Sequence, residues 1–259
     1  MKLKDKVAII TGSGRGLGRA CAQAFSREGA SVVILSRTPE EITGTATAIE
    51  NEGGTVLAIR ADVSNSSEVD EVVAETTSVF GRIDILMNNA AILGPPRVFL
   101  EINPEDWEQT MDINLKGVFL FSRAVIPQMK KQGAGKIINV TSGLAEIVMP
   151  PFGAYSVSKA GVNHVTRIMA EELRTFNIQV NALDPGIMDT IMQEKIRQLG
   201  PDIMSEAMAE QFETFHTDGH LKNPEDIASL AVFLASDDSD LITGEIGSEL
   251  DYSTYGYNL

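Results

Sequence analysis

Two side chains capable of acid–base chemistry, Tyr155 and Lys159, lie four residues apart in the sequence. On a helix this spacing places both side chains on one face, one turn apart. An ammonium group about 4 Å from a phenol hydroxyl interacts with it by roughly 4 kcal/mol at an effective dielectric constant near 20. That energy corresponds to about three pKa units and would bring the pKa of a tyrosine from ~10 toward ~7. We therefore predict that Tyr155 is a general acid/base whose pKa is lowered by Lys159.

A serine precedes this pair, at the end of a short apolar segment. Residues 136–140 (KIINV) contain three β-branched side chains and predict a buried strand. Ser142 follows the carboxyl end of that strand, where open α/β sheets bind their ligands. A hydroxyl group there could hold a carbonyl oxygen while Tyr155 donates a proton to it. Because the Tyr-x-x-x-Lys spacing also occurs by chance on many helices, the rest of the chain has to support this interpretation.

A glycine-rich segment lies near the amino terminus, between a strand predicted at residues 7–11 (VAIIT) and a helix predicted at residues 19–28. Glycines allow the backbone to approach a pyrophosphate closely, and the helix amino terminus offers free N–H groups and the positive end of its dipole. The order strand, glycine turn, helix predicts phosphate binding, with a plain tight turn as the alternative. The glycines of this segment are Gly12, Gly14, Gly16 and Gly18.

The second predicted strand, residues 31–36 (SVVILS), ends where dinucleotide-binding folds meet the adenosine ribose. An acidic residue there favours a free 2′-hydroxyl, but this chain has Ser36 and Arg37, and Arg15 lies in the glycine-rich segment. Two guanidinium groups could bind a 2′-phosphate through charge-assisted hydrogen bonds. We therefore predict NADP(H) as the cofactor. NAD(H) is the alternative if both arginines are only solvated surface charges.

Strands and helices alternate along the rest of the chain, without internal repeats or a low-complexity linker. This alternation predicts one α/β domain over residues 1–259 with a parallel sheet and helices on both faces. Right-handed crossovers and the early glycine turn predict a doubly wound Rossmann fold with seven strands in the order 3-2-1-4-5-6-7. Further strands are predicted at residues 55–60, 83–87, 178–183 and 245–250, and helices at residues 39–52, 67–80, 104–130 and from 224 onward.

Composition argues against several classes of function. The chain has 259 residues and a formal net charge of −15, so nucleic acid and anionic membrane surfaces are poor partners. No apolar run reaches membrane-spanning length, and the amino terminus enters a strand without a signal-peptide segment. We therefore expect a cytoplasmic protein. We expect no metal site, because His164, His216 and His220 lack acidic residues at ligand-like spacing.

The segment at residues 187–221 is too long for a simple connection between two elements. Its methionines and phenylalanines recur at spacings that suit helices. They could pack as ordinary helix core, or they could form an adaptable apolar wall on a mobile substrate lid. Both interpretations stand at this point. The residues concerned are Met188, Met192, Met204, Met208, Phe212 and Phe215.

Taken together, these motifs resemble those of the short-chain dehydrogenase/reductase family over nearly the whole chain. Each motif is weak alone, but the combination is specific, and the sequence looks most like 3-oxoacyl-carrier-protein reductases and sugar or polyol dehydrogenases. Two positions depart from the family pattern: Ala91 replaces a usual glycine, and residues 251–253 (DYS) replace a usual Asp-Gly-Gly. The matching segments are TGSGRGLG at 11–18, DV at 62–63, NNA at 88–90, MDINLKG around Asn114, Ser142, YSVSK at 155–159 and PG at 185–186.

The resemblance implies reversible hydride transfer between a ketone and a secondary alcohol, in a homotetramer or homodimer built on the segment 104–130 and the helix near Tyr155. Tyr155 would be the general acid/base, Lys159 would also hold the nicotinamide ribose, Ser142 would orient the substrate, and Asn114 would hold a water in a proton relay. Besides Tyr155 and Lys159, the implied cofactor contacts are Gly12, Ser13, Arg15, Gly16, Leu17, Gly18, Ser36, Arg37, Asp62, Val63, Asn89, Ala90, Pro185, Gly186, Ile187 and Thr190.

Two other classes of protein fit part of this pattern. A non-catalytic dinucleotide-binding protein would keep the glycine-rich segment but could lose the other motifs, whereas all four of Asn114, Ser142, Tyr155 and Lys159 are present. An epimerase or dehydratase acting on a nucleotide sugar would share the Tyr–Lys pair. Such enzymes usually carry a separate substrate domain, for which 259 residues leave little room.

Overall fold

The computed structural model describes residues 1–200 and 203–258. It contains a seven-stranded parallel sheet in the order 3-2-1-4-5-6-7, which confirms the predicted topology. Most strand residues are buried, as expected for a parallel sheet covered on both faces. The strands are β1 Val7–Thr11, β2 Ser31–Ser36, β3 Val56–Arg60, β4 Ile85–Asn88, β5 Gly135–Val140, β6 Ile178–Leu183 and β7 Ile246–Gly247.

Helices cover the sheet in two layers, each with its own apolar core. On one face Phe25, Ile49 and Phe233 contribute to the core, and on the other face Phe121 and Leu173 do so. This arrangement leaves the carboxyl ends of the strands free to form a cleft. The α-helices are α1 Gly16–Arg27, α2 Pro39–Asn51, α3 Ser66–Phe80, α4 Pro104–Met111, α5 Gly117–Gln132, α6 Gly153–Leu173, α7 Ile191–Arg197, α8 Glu206–Thr217, α9 Pro224–Ala235 and α10 Glu249–Ser253.

The helical segment predicted at residues 104–130 is divided in the structure. A π-helical turn at Asp112–Lys116 separates α4 from α5. Such turns insert one extra residue per turn and are frequent at functional sites. Asn114, the polar residue that interrupts the apolar pattern, lies within this turn and is buried.

The last strand is shorter than predicted, and the prediction of a strand at residues 245–250 is wrong beyond Gly247. A capping box between Ser248 and Asp251 starts helix α10, because it satisfies the free N–H groups at the start of a helix. In α10 the buried Tyr252 donates its hydroxyl hydrogen toward the carbonyl oxygens of Ala182 at 2.9 Å and Glu245 at 3.0 Å. Tyr252, which lies in the segment 251–253 that departs from the family pattern, therefore joins α10 to β6 and to the residue before β7.

The predicted lid at residues 187–221 contains α7 and α8; Pro201 and Asp202 lie outside the described residues. Backbone hydrogen bonds join the two ends of the segment, from Lys222 to the carbonyl of Ile187 and from Asp189 to the carbonyl of Lys222, both at 2.9 Å. Between these ends, side chains pack as a small separate cluster that includes Met204 and Phe212. The packing interpretation thus holds for part of the segment, and its mobility stays a prediction.

Candidate active site

Tyr155 and Lys159 lie in the first two turns of α6, and both side chains are buried. The spacing places them together as predicted, with Lys159 Nζ 5.6 Å from the centre of the Tyr155 ring. Lys159 Nζ also donates a hydrogen bond to the carbonyl oxygen of Val140 at 2.7 Å. The helix is thereby tied to the carboxyl end of β5, which brings the pair to the edge of the sheet where Ser142 lies.

The pKa values of this pair differ from the sequence-based expectation. Burial raises the pKa of Tyr155 to about 12, hydrogen bonding with Ser142 lowers it, and the negative charge of Asp184 raises it. Burial lowers the pKa of Lys159 to about 8, with Asp184 opposing that change. The prediction that Lys159 draws the pKa of Tyr155 toward neutrality is therefore wrong for this arrangement. The reason is that loss of hydration on burial has the largest effect on the Tyr155 hydroxyl, while Lys159 directs its ammonium group to the carbonyl oxygen of Val140.

Ser142 is half-buried and begins the short 3₁₀ helix Gly143–Ala145 that follows β5. Its Oγ accepts a hydrogen bond from the backbone N–H of Leu144 at 3.2 Å, which holds the side chain in position. The same hydroxyl is the group whose hydrogen bonding lowers the pKa of Tyr155. The structure therefore brings together the two hydroxyl groups that the sequence predicted to share a substrate oxygen.

Asn114 braces this site through its side-chain amide. Its Oδ1 accepts from the backbone N–H of Ile92 at 2.8 Å, and its Nδ2 donates to the carbonyl oxygen of Ile92 at 2.9 Å and to Ser158 Oγ at 3.0 Å. Ser158 Oγ in turn donates to the carbonyl oxygen of Tyr155 at 2.7 Å. Both amide hydrogens of Asn114 are therefore already used in hydrogen bonds within the protein. That Asn114 holds a water through its other polar groups stays a prediction.

The glycine-rich segment has a shape that suits a pyrophosphate. Gly12 and Gly16 have φ angles of +63° and +54°, a conformation that other residues rarely adopt. A Cβ atom on Gly12 would lie 2.8 Å from the Cα of Ala90, and one on Gly18 would clash with the Nδ2 of Asn89. Among the described residues, no side chain caps the amino terminus of α1, so its first N–H groups are available to a phosphate.

Two of the residues implied to contact the cofactor also hold the segment in shape. Ser13 is fully buried; its Oγ lies 2.8 Å from the carbonyl oxygen of Ile10, and its N–H donates to Leu35 at 3.1 Å. Its carbonyl oxygen accepts from Thr45 at 3.1 Å, so Ser13 shapes the segment, and its implied contact with a cofactor stays a prediction. Asn89 Nδ2 donates to the carbonyl oxygens of Thr11 and Gly12 at 2.9 and 3.1 Å, so this side chain joins the end of β4 to the end of β1.

The two arginines predicted to bind a 2′-phosphate are both paired with acidic side chains. Arg15 Nη1 lies 3.4 Å from Glu41 Oε1, and Arg37 Nη1 lies 3.8 Å from Asp62 Oδ2. Both arginine side chains are more than half exposed, at 57% and 52%, so each pair contributes only about 0–1 kcal/mol. Ser36 Oγ is hydrogen-bonded to the backbone of Thr38. The guanidinium groups can therefore exchange their carboxylate partners for a phosphate at little cost.

The remaining implied cofactor contacts come from the two sides of the cleft. Val63 packs against the π-helical turn region, where a Cβ on Gly117 would lie 2.9 Å from its Cγ2.

After β6, Pro185 is buried, Gly186 has a φ of +69°, and Ile187 begins the segment that leads to Thr190. The Thr190 methyl group lies 3.6 Å from the position of a Cβ on Gly16, so this segment closes over the glycine-rich one. The neighbours of the glycine-rich segment, Leu17 and Ala90, are buried and half-buried.

Sequence reasoning did not assign a role to Asp184. This carboxylate follows the carboxyl end of β6, and its charge acts on both Tyr155 and Lys159. The sequence did contain a signal for this residue. Asp184 directly follows the end of β6, just as Ser142 lies two residues after the end of the neighbouring strand β5.

Within residues 1–200 and 203–258, no three His, Cys, Asp or Glu side chains are grouped so that they could hold a metal ion. Over the same residues, no helix combines the length and the apolar composition needed to cross a bilayer.

Comparison with known proteins extends the likeness over nearly the whole chain. Residues 12–248 match the family model described as enoyl-(acyl carrier protein) reductase. The 3-oxoacyl-(acyl-carrier-protein) reductase FabG of Thermotoga maritima is 35% identical over 95% of this chain and 96% of its own. An NAD-dependent glycerol dehydrogenase of Listeria innocua is 36% identical over 94% and 91%. The crystal structure of levodione reductase superposes with a TM-score of 0.88 at 30% identity, over 99% of this chain and all of that one.

Proposed function

The chain belongs to the short-chain dehydrogenase/reductase family of oxidoreductases, and from this premise we propose that it interconverts a ketone and a secondary alcohol with NADP(H). The observation that carries the proposal is the meeting of Tyr155, Lys159 and Ser142 beside a glycine-rich segment shaped for a pyrophosphate. A nicotinamide dinucleotide, when bound, supplies or accepts the hydride. In balanced form, ketone, NADPH and one proton give alcohol and NADP⁺.

The protein's own residues would manage the proton and the substrate oxygen. With a pKa of about 12, Tyr155 is protonated at neutral pH and can donate its hydroxyl proton to a carbonyl oxygen that is being reduced. Ser142 would share that oxygen and fix its direction. Lys159, with a pKa of about 8, is mostly protonated at neutral pH and would stabilise the phenolate that remains.

Turnover of the reduced cofactor tests this proposal. We expect the purified protein to oxidise NADPH in the presence of some member of a panel of ketones, β-ketoacyl thioesters and keto sugars. The matching secondary alcohols should reduce NADP⁺. If no member reacts with either NADPH or NADH while the protein binds a dinucleotide, the chain is a binding protein and the proposal is wrong.

A second candidate is an NAD(H)-preferring alcohol or polyol dehydrogenase. The observation in its favour is that Arg15 and Arg37 are both already paired with carboxylates, of which Glu41 would also repel a 2′-phosphate. The glycerol dehydrogenase relative is described as NAD-dependent. Measuring the panel with both cofactors separates the two candidates.

We also propose that the protein assembles through α5 and α6. Val157 and Ile168 are eleven residues apart on α6, and therefore on one face, with 47% and 45% of their surface exposed; Phe119 of α5 is 52% exposed. Sedimentation should give a dimer or tetramer at micromolar concentration. Ile168→Asp should dissociate it, whereas Val79→Asp, at a 56% exposed position of α3, should not. A monomeric wild-type protein would refute this assembly.

The segment at residues 187–221 is proposed to act as a lid over the site. Its apolar cluster rests on Phe152, Leu144 and Met149, which flank Ser142 and Tyr155 in the chain. Amide hydrogen exchange in α7 and α8 should slow when cofactor and substrate are added, because closure protects backbone hydrogen bonds. Helix α3 serves as the control and should not respond. Unchanged exchange in α7 and α8 would contradict the lid.

A further inference from the structure

The carboxylate of Asp184 is the one acidic group that acts on both members of the Tyr155–Lys159 pair among the described residues. It is placed there by the sheet. Val140 and Leu183 are register partners, so the residues that follow them, Thr141 and Asp184, leave the sheet side by side. The N–H of Asp184 donates to the carbonyl oxygen of Gly247 at 2.8 Å, which fixes its backbone from the other side.

The two oxygens of this carboxylate have different surroundings. Oδ1 accepts a hydrogen bond from the N–H of Gly186 at 3.0 Å and so stabilises the turn after β6. Oδ2 points toward the 3₁₀ helix that begins after Ser142, since it lies 3.5 Å from the position of a Cβ on Gly143. Within the part of the chain that the structure describes, no Lys, Arg or His lies within 4.0 Å of this carboxylate. Lys159 instead directs its ammonium group to Val140.

We propose that Asp184 is a substrate-binding residue that selects ketones and alcohols with a hydroxyl group on the carbon next to the reacting one. The inference rests on the proposed function and names its substrate class. An ionised carboxylate accepts hydrogen bonds and donates none, so its free oxygen binds a hydroxyl group and repels an anion. Ser142 holds the reacting oxygen, and Asp184 Oδ2 lies beside the residue that follows Ser142. The group one bond away from the reacting carbon is therefore the part of the substrate that meets it.

This assignment separates substrates that the family resemblance leaves together. An α-hydroxy ketone or a vicinal diol offers the donor that Asp184 needs. A 2-keto acid presents a negative charge at the same place, and a simple ketone or a β-ketoacyl thioester presents no donor there. We therefore expect polyol-like compounds to be better substrates than keto acids and acyl thioesters.

Three ketones that differ only at the neighbouring carbon test the proposal: hydroxyacetone, acetone and pyruvate, or the same three substitutions on the best ketone of the panel. The wild type should give its highest kcat/KM with the hydroxylated ketone and its lowest with the keto acid. Asp184→Asn keeps an oxygen for the Gly186 N–H but removes the charge. In this variant kcat/KM should fall about tenfold for the hydroxylated ketone, change less than about threefold for the plain ketone, and rise for the keto acid.

Asp70→Asn is the matched control, because Asp70 is an exposed residue of α3, a helix that contributes no residue to the site, and this change should leave all three values unaltered. Equal losses for the hydroxylated and plain ketones in Asp184→Asn would overturn the proposal, as would a fall for the keto acid. A rise in the KM of the cofactor alone would overturn it too, since Asp184 would then act on the dinucleotide. If the wild type reduces no ketone with either cofactor, it is the proposed function that fails.

Discussion

Replacing Tyr155 by phenylalanine is expected to reduce turnover by about three orders of magnitude or more while cofactor binding is retained. The substitution removes one hydroxyl group from a buried ring and leaves the ring's packing in α6 intact. That hydroxyl is proposed to act mainly in the transition state, as the donor of a proton to the substrate oxygen. Its loss should therefore appear in kcat, with little change in the dissociation constant of NADPH measured by fluorescence titration.

Tyr255→Phe is a matched control, because Tyr255 lies near the carboxyl terminus with 46% of its surface exposed. It should leave turnover unchanged. Circular dichroism and thermal unfolding should show that both variants are folded. A folded Tyr155→Phe protein with turnover near that of the wild type would show that another group transfers the proton.

Replacing Arg37 by alanine is expected to lower the preference for NADPH over NADH by roughly one to two orders of magnitude. A charge-assisted hydrogen bond to a phosphate contributes roughly 1.5–3 kcal/mol, and each ~1.4 kcal/mol corresponds to a factor of ten. The existing pair between Arg37 and Asp62, at 3.8 Å and half-exposed, offsets no more than about 1 kcal/mol of this gain. The measurement is kcat/KM for both cofactors with one substrate.

Glu41 provides a second arm of this experiment. It pairs with Arg15 at 3.4 Å and lies over the glycine-rich segment, where a Cβ on Gly14 would be 2.6 Å from the Cβ of Glu41. Glu41→Gln should increase the NADPH preference, because it removes a negative charge beside the expected phosphate and frees Arg15. Arg174→Ala, at an exposed position after α6, is the control. Equal kcat/KM for NADPH and NADH in the wild type would show that NAD(H) is used equally well and that the NADP(H) prediction is wrong.

Much of the fold was predictable because its signals are local. Alternating apolar strands and amphipathic helices imply a covered parallel sheet, and the glycine-rich turn after β1 identifies where that sheet is doubly wound. The prediction at residues 245–250 was wrong for a local reason as well. The apolar residues there suit a strand, but Ser248 and Asp251 form a capping box that favours a helix.

The sequence by itself determined the order of the strands and the placement of Tyr155, Lys159 and Ser142 at one edge of the sheet, because spacing and strand ends decide both. Only the tertiary structure decided how these groups ionise. Desolvation depends on everything packed around a side chain, and it raises the pKa of Tyr155 where a pairwise estimate from spacing lowered it. The structure alone also showed which internal hydrogen bonds hold Ser13 and Asn114 and that Asp184 joins the site, since hydrogen-bond partners from distant strands and helices meet only after folding.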